Sequence, residues 1–193
     1  RFAESGNLNF RLSKPFRSVW VAGLSILAIG VLIYPVMGTR VRLRDRYQTT
    51  DQGLDGLAYM LTATQWEDSQ PISLRFDLAA IKWLQKNIDG SPVIVEGITG
   101  LYHWGNRISI NTGLPAIVGW DWHQRQQRVG CADEVMLRRR HVDRIYSTND
   151  PLDAQQLMQE YDARYLVVGQ LERITYPAPG LAKFEEMAEQ GVM

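Results

Sequence analysis

The feature that most constrains this chain is "SVWVAGLSILAIGVLIYPVM" (18–37), twenty residues without a charge. As a helix rising 1.5 Å per residue, it matches a bilayer hydrocarbon core of roughly 30 Å. It is apolar on all faces, so it has no polar side to show to water as a surface helix would. Arg17 and Arg40 bracket it, and Trp20 and Tyr34 lie near its ends, where aromatic rings favour the headgroup region. The sequence predicts a transmembrane helix over 18–38, with Pro35 marking its exit. The alternatives are a buried helix of a soluble fold and a signal peptide. A signal peptide usually has a shorter apolar region, and "PVMGTR" is a weak cleavage site. Charge does not set the orientation, because Arg11, Lys14 and Arg17 precede the segment and Arg40, Arg42, Arg44 and Arg46 follow it.

The 193 residues include 21 basic and 21 acidic side chains. A net charge of zero argues against a nucleic-acid-binding domain, which carries a basic excess. The single cysteine, Cys131, allows no intrachain disulfide, and with three scattered histidines (His103, His123, His141) it forms no zinc-ligand spacing. The chain begins at Arg1 in a polar-basic stretch (1–17) and ends at "EEMAEQGVM". It reads as a fragment with earlier membrane spans outside it, and with the last element of its domain incomplete.

Beyond a polar linker (39–70, with helix around 55–63), helix and strand patterns alternate. "DLAAIKWLQKNI" (77–88) puts Leu78, Ile81, Leu84 and Ile88 on one face and predicts an amphipathic helix. "PVIVE" (92–96) predicts a buried strand, and the alternating "RISIN" (107–111) a second. Residues 132–146 predict a helix with Asp133 and Glu134 in its first turn. In 149–161, Asp150 can cap a helix that Pro151 begins. "ARYLVVG" (163–169) predicts a buried strand, and 180–191 a last helix. The fold expected for 71–193 is therefore a small layered α/β, Rossmann-like domain with parallel strands.

Candidate binding residues concentrate in "GLPAIVGWDWHQRQQR" (113–128), read as a loop. Trp120 and Trp122 offer aromatic faces for a sugar ring. Asp121, His123, Gln124, Arg125, Gln127 and Arg128 offer hydrogen bonds to hydroxyls or phosphate, with arginine suited to anions. The ordinary reading of the same residues is tryptophans plugging a core beneath solvated polar groups. Glu96, at the end of its strand, is expected to face the same crevice, where open α/β sheets bind ligands, unless it only pairs with Arg107. Glu172, Arg173 and Tyr176, after the 163–169 strand, are candidates at the same end, or else solvated turn residues. "RRRH" (138–141) fans around its helix and reads as a solvated or headgroup-contacting surface. No P-loop, GxSxG, HExxH or GxGxxG occurs, so no catalytic residue is assigned.

Through "YPVMGTR", "LDGLAYM", "AAIKWLQKNIDGSPVIVEG", "TGLPAIVGWDWHQRQQR" and "DARYLVVGQLERITYPAPGLAKF", spanning about Tyr34 to Phe184, the chain resembles the C-terminal part of the YYY family of uncharacterised multi-pass membrane proteins. That family is similar to C-type-fold membrane glycosyltransferases. The resemblance implies many upstream spans in the cell membrane and an extracytoplasmic domain after the last one. It also implies a polyprenyl-phosphate-linked sugar and the lipid bilayer as partners, with the domain assisting substrate binding. The catalytic acid, and any divalent metal, would belong to an early loop outside these residues, leaving no cofactor here. The competing expectation is a non-catalytic, membrane-anchored binding or assembly domain, with 113–128 as its partner surface.

Overall fold

The computed structural model describes residues 13–46 and 53–191. They divide into two compact units, meeting in the sequence at Gln52 and Gly53. The described part of the first unit is one helix, α1 (Lys14–Arg46). Lys14–Arg44 is long and apolar enough to cross a membrane, with a mean hydropathy of 2.2 in its most apolar window and none of that window buried. Pro35 does not end the helix, contrary to the sequence expectation; α1 continues through it to Arg46. Proline removes one backbone donor and clashes with the preceding turn, and apolar membrane-type helices tolerate this better than most. Of the stretch expected as a polar loop, residues 1–12 lie outside the described residues, and Lys14–Arg17 are helical.

In the second unit, the expected linker is largely structured. A 3-10 turn (Ala58–Leu61) leads into an antiparallel hairpin of β1 (Thr64–Glu67) and β2 (Gln70–Ser73). Its two-residue turn places Asp68 and Ser69 at φ 45° and 65°, the left-handed pair that matches strand twist. Then follow α2 (Leu74–Asn87), β3 (Val93–Val95), α3 (Arg107–Thr112), α4 (Asp121–Gln127), α5 (Ala132–Ser147), α6 (Pro151–Glu160), β4 (Ala163–Leu166), α7 (Gln170–Thr175) and α8 (Ala178–Glu189). Strands β3 and β4 pair in parallel, and Ala116 forms a parallel bridge on Ile94. Parallel α/β pairing is thus present, in a mostly helical unit. Among the described residues this parallel sheet is two strands and one bridged segment.

Ile94 and Val95 are both fully buried but belong to different apolar clusters, as side chains alternating across a strand must. Ile94 packs with Ile72, Leu78, Ile81, Leu84 and Ile108, under β2, α2 and α3. Val95 packs with Val142, Ile145, Tyr146, Ala154, Met158 and Phe184, under α5, α6 and α8. Strand β4 is only half-buried rather than fully buried, since it is paired along one side alone.

"RISIN" is a helix, not a strand. Glu96 accepts hydrogen bonds from the N–H groups of Ile108 (2.9 Å) and Ser109 (3.0 Å), satisfying donors that a helix start leaves orphaned. "QLERIT", read as a turn, is α7; the Glu172 carboxylate accepts from the Gly169 N–H at its start (2.8 Å). The same carboxylate accepts from Gly97 N–H (2.9 Å), just beyond β3, and bidentately from Arg107 (3.0 and 2.9 Å). Arg107 Nε lies 2.9 Å from Asp77 Oδ1, and Trp104 Nε1 donates to Asp77 Oδ2 (2.9 Å). Arg107 therefore pairs with Glu172 and Asp77, not with Glu96 as the sequence suggested. Gly97 is needed for this closeness, because a Cβ there would sit 2.8 Å from Glu172 Oε1.

Burial pushes the Glu172 pKa up, but the charge and hydrogen bonds of Arg107 and the two N–H groups outweigh it, leaving it below the usual value. Burial also raises Glu96, and there the Ile108 and Ser109 N–H groups offset it only in part. Removing one partner of a buried ion pair strands the other. Glu172→Gln is therefore expected to lower unfolding stability by about 3 kcal/mol. Combined with Arg107→Met, the loss should fall well short of the sum of the two single losses. Urea denaturation of all three variants checks this, and additive losses would refute the coupling.

A second buried charge, Lys183, donates to the carbonyl oxygens of Ile145 (2.7 Å) and Gly180, with its ammonium 3.9 Å from the centre of the Phe184 ring. Burial pulls its pKa down to about 8. Below that pH the lysine is charged in both folded and unfolded chains, and the cost of burying the charge is fully present. As pH rises toward the unfolded value of 10.5, only the unfolded chain holds the proton, and the cost disappears. Relative to Lys183→Met, wild-type stability should therefore rise between pH 8 and 10.5, read from paired denaturation curves; a flat difference would refute it.

Candidate functional site

The segment expected as a ligand loop is part extended chain and part helix. Gly113 ends α3 in the left-handed region at φ 77°, Ala116 bridges β3, and Ile117 and Val118 are buried in the core. The chain then turns at Trp120 and runs as α4 from Asp121. The Asn106 amide, with its oxygen turned toward Trp120, accepts from Trp120 N (2.8 Å) and Nε1 (3.3 Å). This fixes the helix entry against the 97–106 loop.

Asp121 is buried and joins two helices. It accepts from Arg125 Nη2 on its own helix (3.2 Å) and from Arg139 Nη1 on α5 (2.8 Å). The Arg125 guanidinium lies 5.4 Å from the Trp122 ring centre, a cation–π distance. His123 is in ring contact with Trp120 (5.6 Å) and Tyr102 (6.4 Å). These groups enclose a pocket of about 390 Å³, walled by 99–102 on one side and by Trp120, Asp121, Trp122, His123, Arg125 and Arg139 on the other. His123 Nδ1 and Arg125 Nε, on two of the lining residues, are buried without hydrogen-bond partners.

The charge at this site balances locally. Arg125 and Arg139 face Asp121, and Asp143 lies 3.8 Å from Arg139. Burial raises the Asp143 carboxyl; Tyr176 and Arg139 pull it down, and Asp121 adds to the rise. The pocket thus presents aromatic faces beside arginines that are paired with carboxylates of the protein.

Of the residues singled out in the sequence, Trp120, Asp121, Trp122, His123 and Arg125 converge here. Gln124 does not line the pocket; its amide packs against Gly119, where a Cβ would lie 2.9 Å away. Arg128 follows the end of α4, exposed and also outside the lining. Glu96 and Glu172 are not crevice groups: both are buried and bonded to the protein's own donors. Arg173 is a surface residue paired with Glu185 (3.0 Å). The "RRRH" helix is more engaged than expected, since Arg138 pairs with Glu134 and Arg139 is part of the pocket wall.

Sequence reasoning missed Leu101, Tyr102 and Arg139 as lining residues. It also missed a pair beside them, His103 Nδ1 and the buried Glu67 Oε1, 2.5 Å apart. The signal for Glu67 lies in the β1 alternation, which turns Trp66 outward and Glu67 inward and depends on the hairpin pairing. Among the described residues no cluster of three or more His, Cys, Asp or Glu could hold a metal ion. Comparison of the chain with protein families, with curated proteins and with solved structures finds no match.

Asp121→Ala leaves Arg125 and Arg139 facing each other without their shared carboxylate. The expected result is a loss of about 1–2 kcal/mol, discounted because both arginines are partly solvated. Amide exchange in 121–127 should accelerate selectively. Unchanged exchange in α4 would show that the clamp does not hold this helix.

Proposed function

We propose that this chain is the membrane-tethered, substrate-holding part of a glycosyltransferase-like membrane protein, and that its pocket takes the sugar ring of a lipid-linked sugar. The observation that carries this reading is the aromatic-walled pocket whose two arginines are already paired with carboxylates, both with Asp121 and Arg139 also with Asp143. Sugar rings bury apolar C–H faces against aromatic side chains while their hydroxyls take directed hydrogen bonds. A free anion would gain little from guanidinium groups that are already paired. Trp122 and Trp120 provide the stacking faces, with the polar side chains of Asp121, His123, Arg125 and Arg139 around them. The apolar α1 helix supplies the membrane tether, consistent with a polyprenyl-phosphate carrier and a cell-membrane location. The resemblance of the Trp-rich segment to the YYY family points the same way, with an extracytoplasmic domain in a multi-pass protein. Rossmann-like layering of the domain belongs to the same reading. No residue here is assigned to the transfer chemistry itself.

A second reading, a membrane-anchored assembly domain, draws on the exposure of Tyr102, Trp120 and Trp122, which would suit a protein partner as well. Titration of the chain in nanodiscs with polyprenyl-phosphate sugars and with free glycans, followed by NMR shifts, separates the two. Saturable shifts at His123 and Trp122 are expected, with affinity at least tenfold weaker in Trp122→Ala and Arg125→Ala of unchanged circular dichroism. If no glycan perturbs the pocket, the sugar reading fails and the assembly reading stands.

A further inference from the structure

Helix α2 carries a feature that the pocket does not use. Its inward side is ordinary, with Leu74, Leu78, Ile81 and Leu84 buried. Its outward side is not. At 100° per residue, Arg75, Lys82 and Lys86 form one stripe, and Phe76 and Trp83 form a second stripe beside it, all within about 120° of arc. Phe76 and Trp83 are 58% and 55% exposed, where a soluble surface helix would carry polar groups. The three cations are exposed, and none lies within ion-pair distance of a described carboxylate. The one acid in the helix, Asp77, is buried facing Arg107.

A chain of zero net charge has therefore set aside one helical face with three cations, two large aromatics and no anion. Aromatic rings at the level of the headgroups and flanking Lys/Arg on phosphates are the chemistry of an interfacial helix. We propose that the outward face of α2 docks on an anionic lipid surface, with Phe76 and Trp83 entering the headgroup boundary and Arg75, Lys82 and Lys86 on lipid phosphates. This charge complementarity fits lipid, and the same chain carries the membrane-capable α1. Each cation near an anionic bilayer contributes a factor of roughly five to binding, so the three together favour the docked state on the order of a hundredfold. The inference is independent of what the pocket holds.

The test uses the full chain reconstituted in vesicles. Ala79 lies between the two stripes, and Gln156 is exposed on α6. In a Cys131→Ser background, Ala79→Cys and, separately, Gln156→Cys carry an environment-sensitive fluorophore. In phosphatidylcholine vesicles containing phosphatidylglycerol, the label at 79 should shift to the blue and be quenched by brominated lipid, while the label at 156 should not. Lys82→Glu with Lys86→Glu, or high salt, should return it to water. Three results would overturn the proposal: a label at 79 that stays in water in anionic vesicles, a response equal in pure phosphatidylcholine, or a shift that follows protein density rather than lipid charge. The last would assign the face to a second copy of the chain. Circular dichroism on each variant shows whether a lost response reflects lost docking or lost fold.

Discussion

The folded unit depends on a buried carboxylate doing several jobs at once. Glu172 accepts from Gly97 beyond β3, from Gly169 beyond β4, and from both ends of the Arg107 fork. Two short parallel strands have few ladder bonds of their own, and a pairing that small is weak without help at its ends. The Glu172 carboxylate replaces missing strand length with charge-assisted bonds. Arg107 then passes the constraint on to α2 through Asp77, and Glu96 fixes the start of α3 beside it. Backbone must approach Glu172 closely for this to work, and that is why glycine stands at 97.

This arrangement bears on where a ligand can go. In open α/β sheets the crevice beyond the strand carboxyl ends is the usual binding place. Here both strand-end carboxylates already hold protein groups, and the Arg107 guanidinium, almost wholly buried, lies among them. The pocket lies instead between the 99–102 loop and α4, with α5 contributing Arg139. Its geometry rests on the Asp121 clamp and on the Asn106 hold on Trp120, which work locally.

What could be read in the sequence follows from how local each signal is. Helices α2, α5 and α6 were legible because apolar spacing and caps lie within a few residues; Asp150 accepts from the Leu152 N–H as its sequence position predicts. Strands β3 and β4 were legible from β-branched runs, and so was the convergence of Trp120, Asp121, Trp122, His123 and Arg125. "RISIN" was not, because its alternation favours a strand and the group that overrides it, Glu96, acts from outside the segment. The role of Glu172 was hidden for the same reason: its partners at 97 and 107 are distant in sequence. The hairpin turn at Asp68 and Ser69 lacks the glycine that usually announces such a turn.

The chain thus separates two kinds of exposed aromatic residue. Trp120 and Trp122 stand beside carboxylate-paired arginines, so their surroundings are polar yet neutral, which suits an uncharged polyhydroxyl ring. Phe76 and Trp83 stand beside Arg75, Lys82 and Lys86, which have no carboxylate within ion-pair distance among the described residues. Burial alone does not distinguish these sites, since all four rings are about half exposed. The difference lies in whether the neighbouring cations have found an anion within the protein. Asp121 supplies one beside α4. On α2 the only acid, Asp77, faces inward to Arg107, so the buried network that secures the fold also leaves the outer face of α2 without a counter-charge.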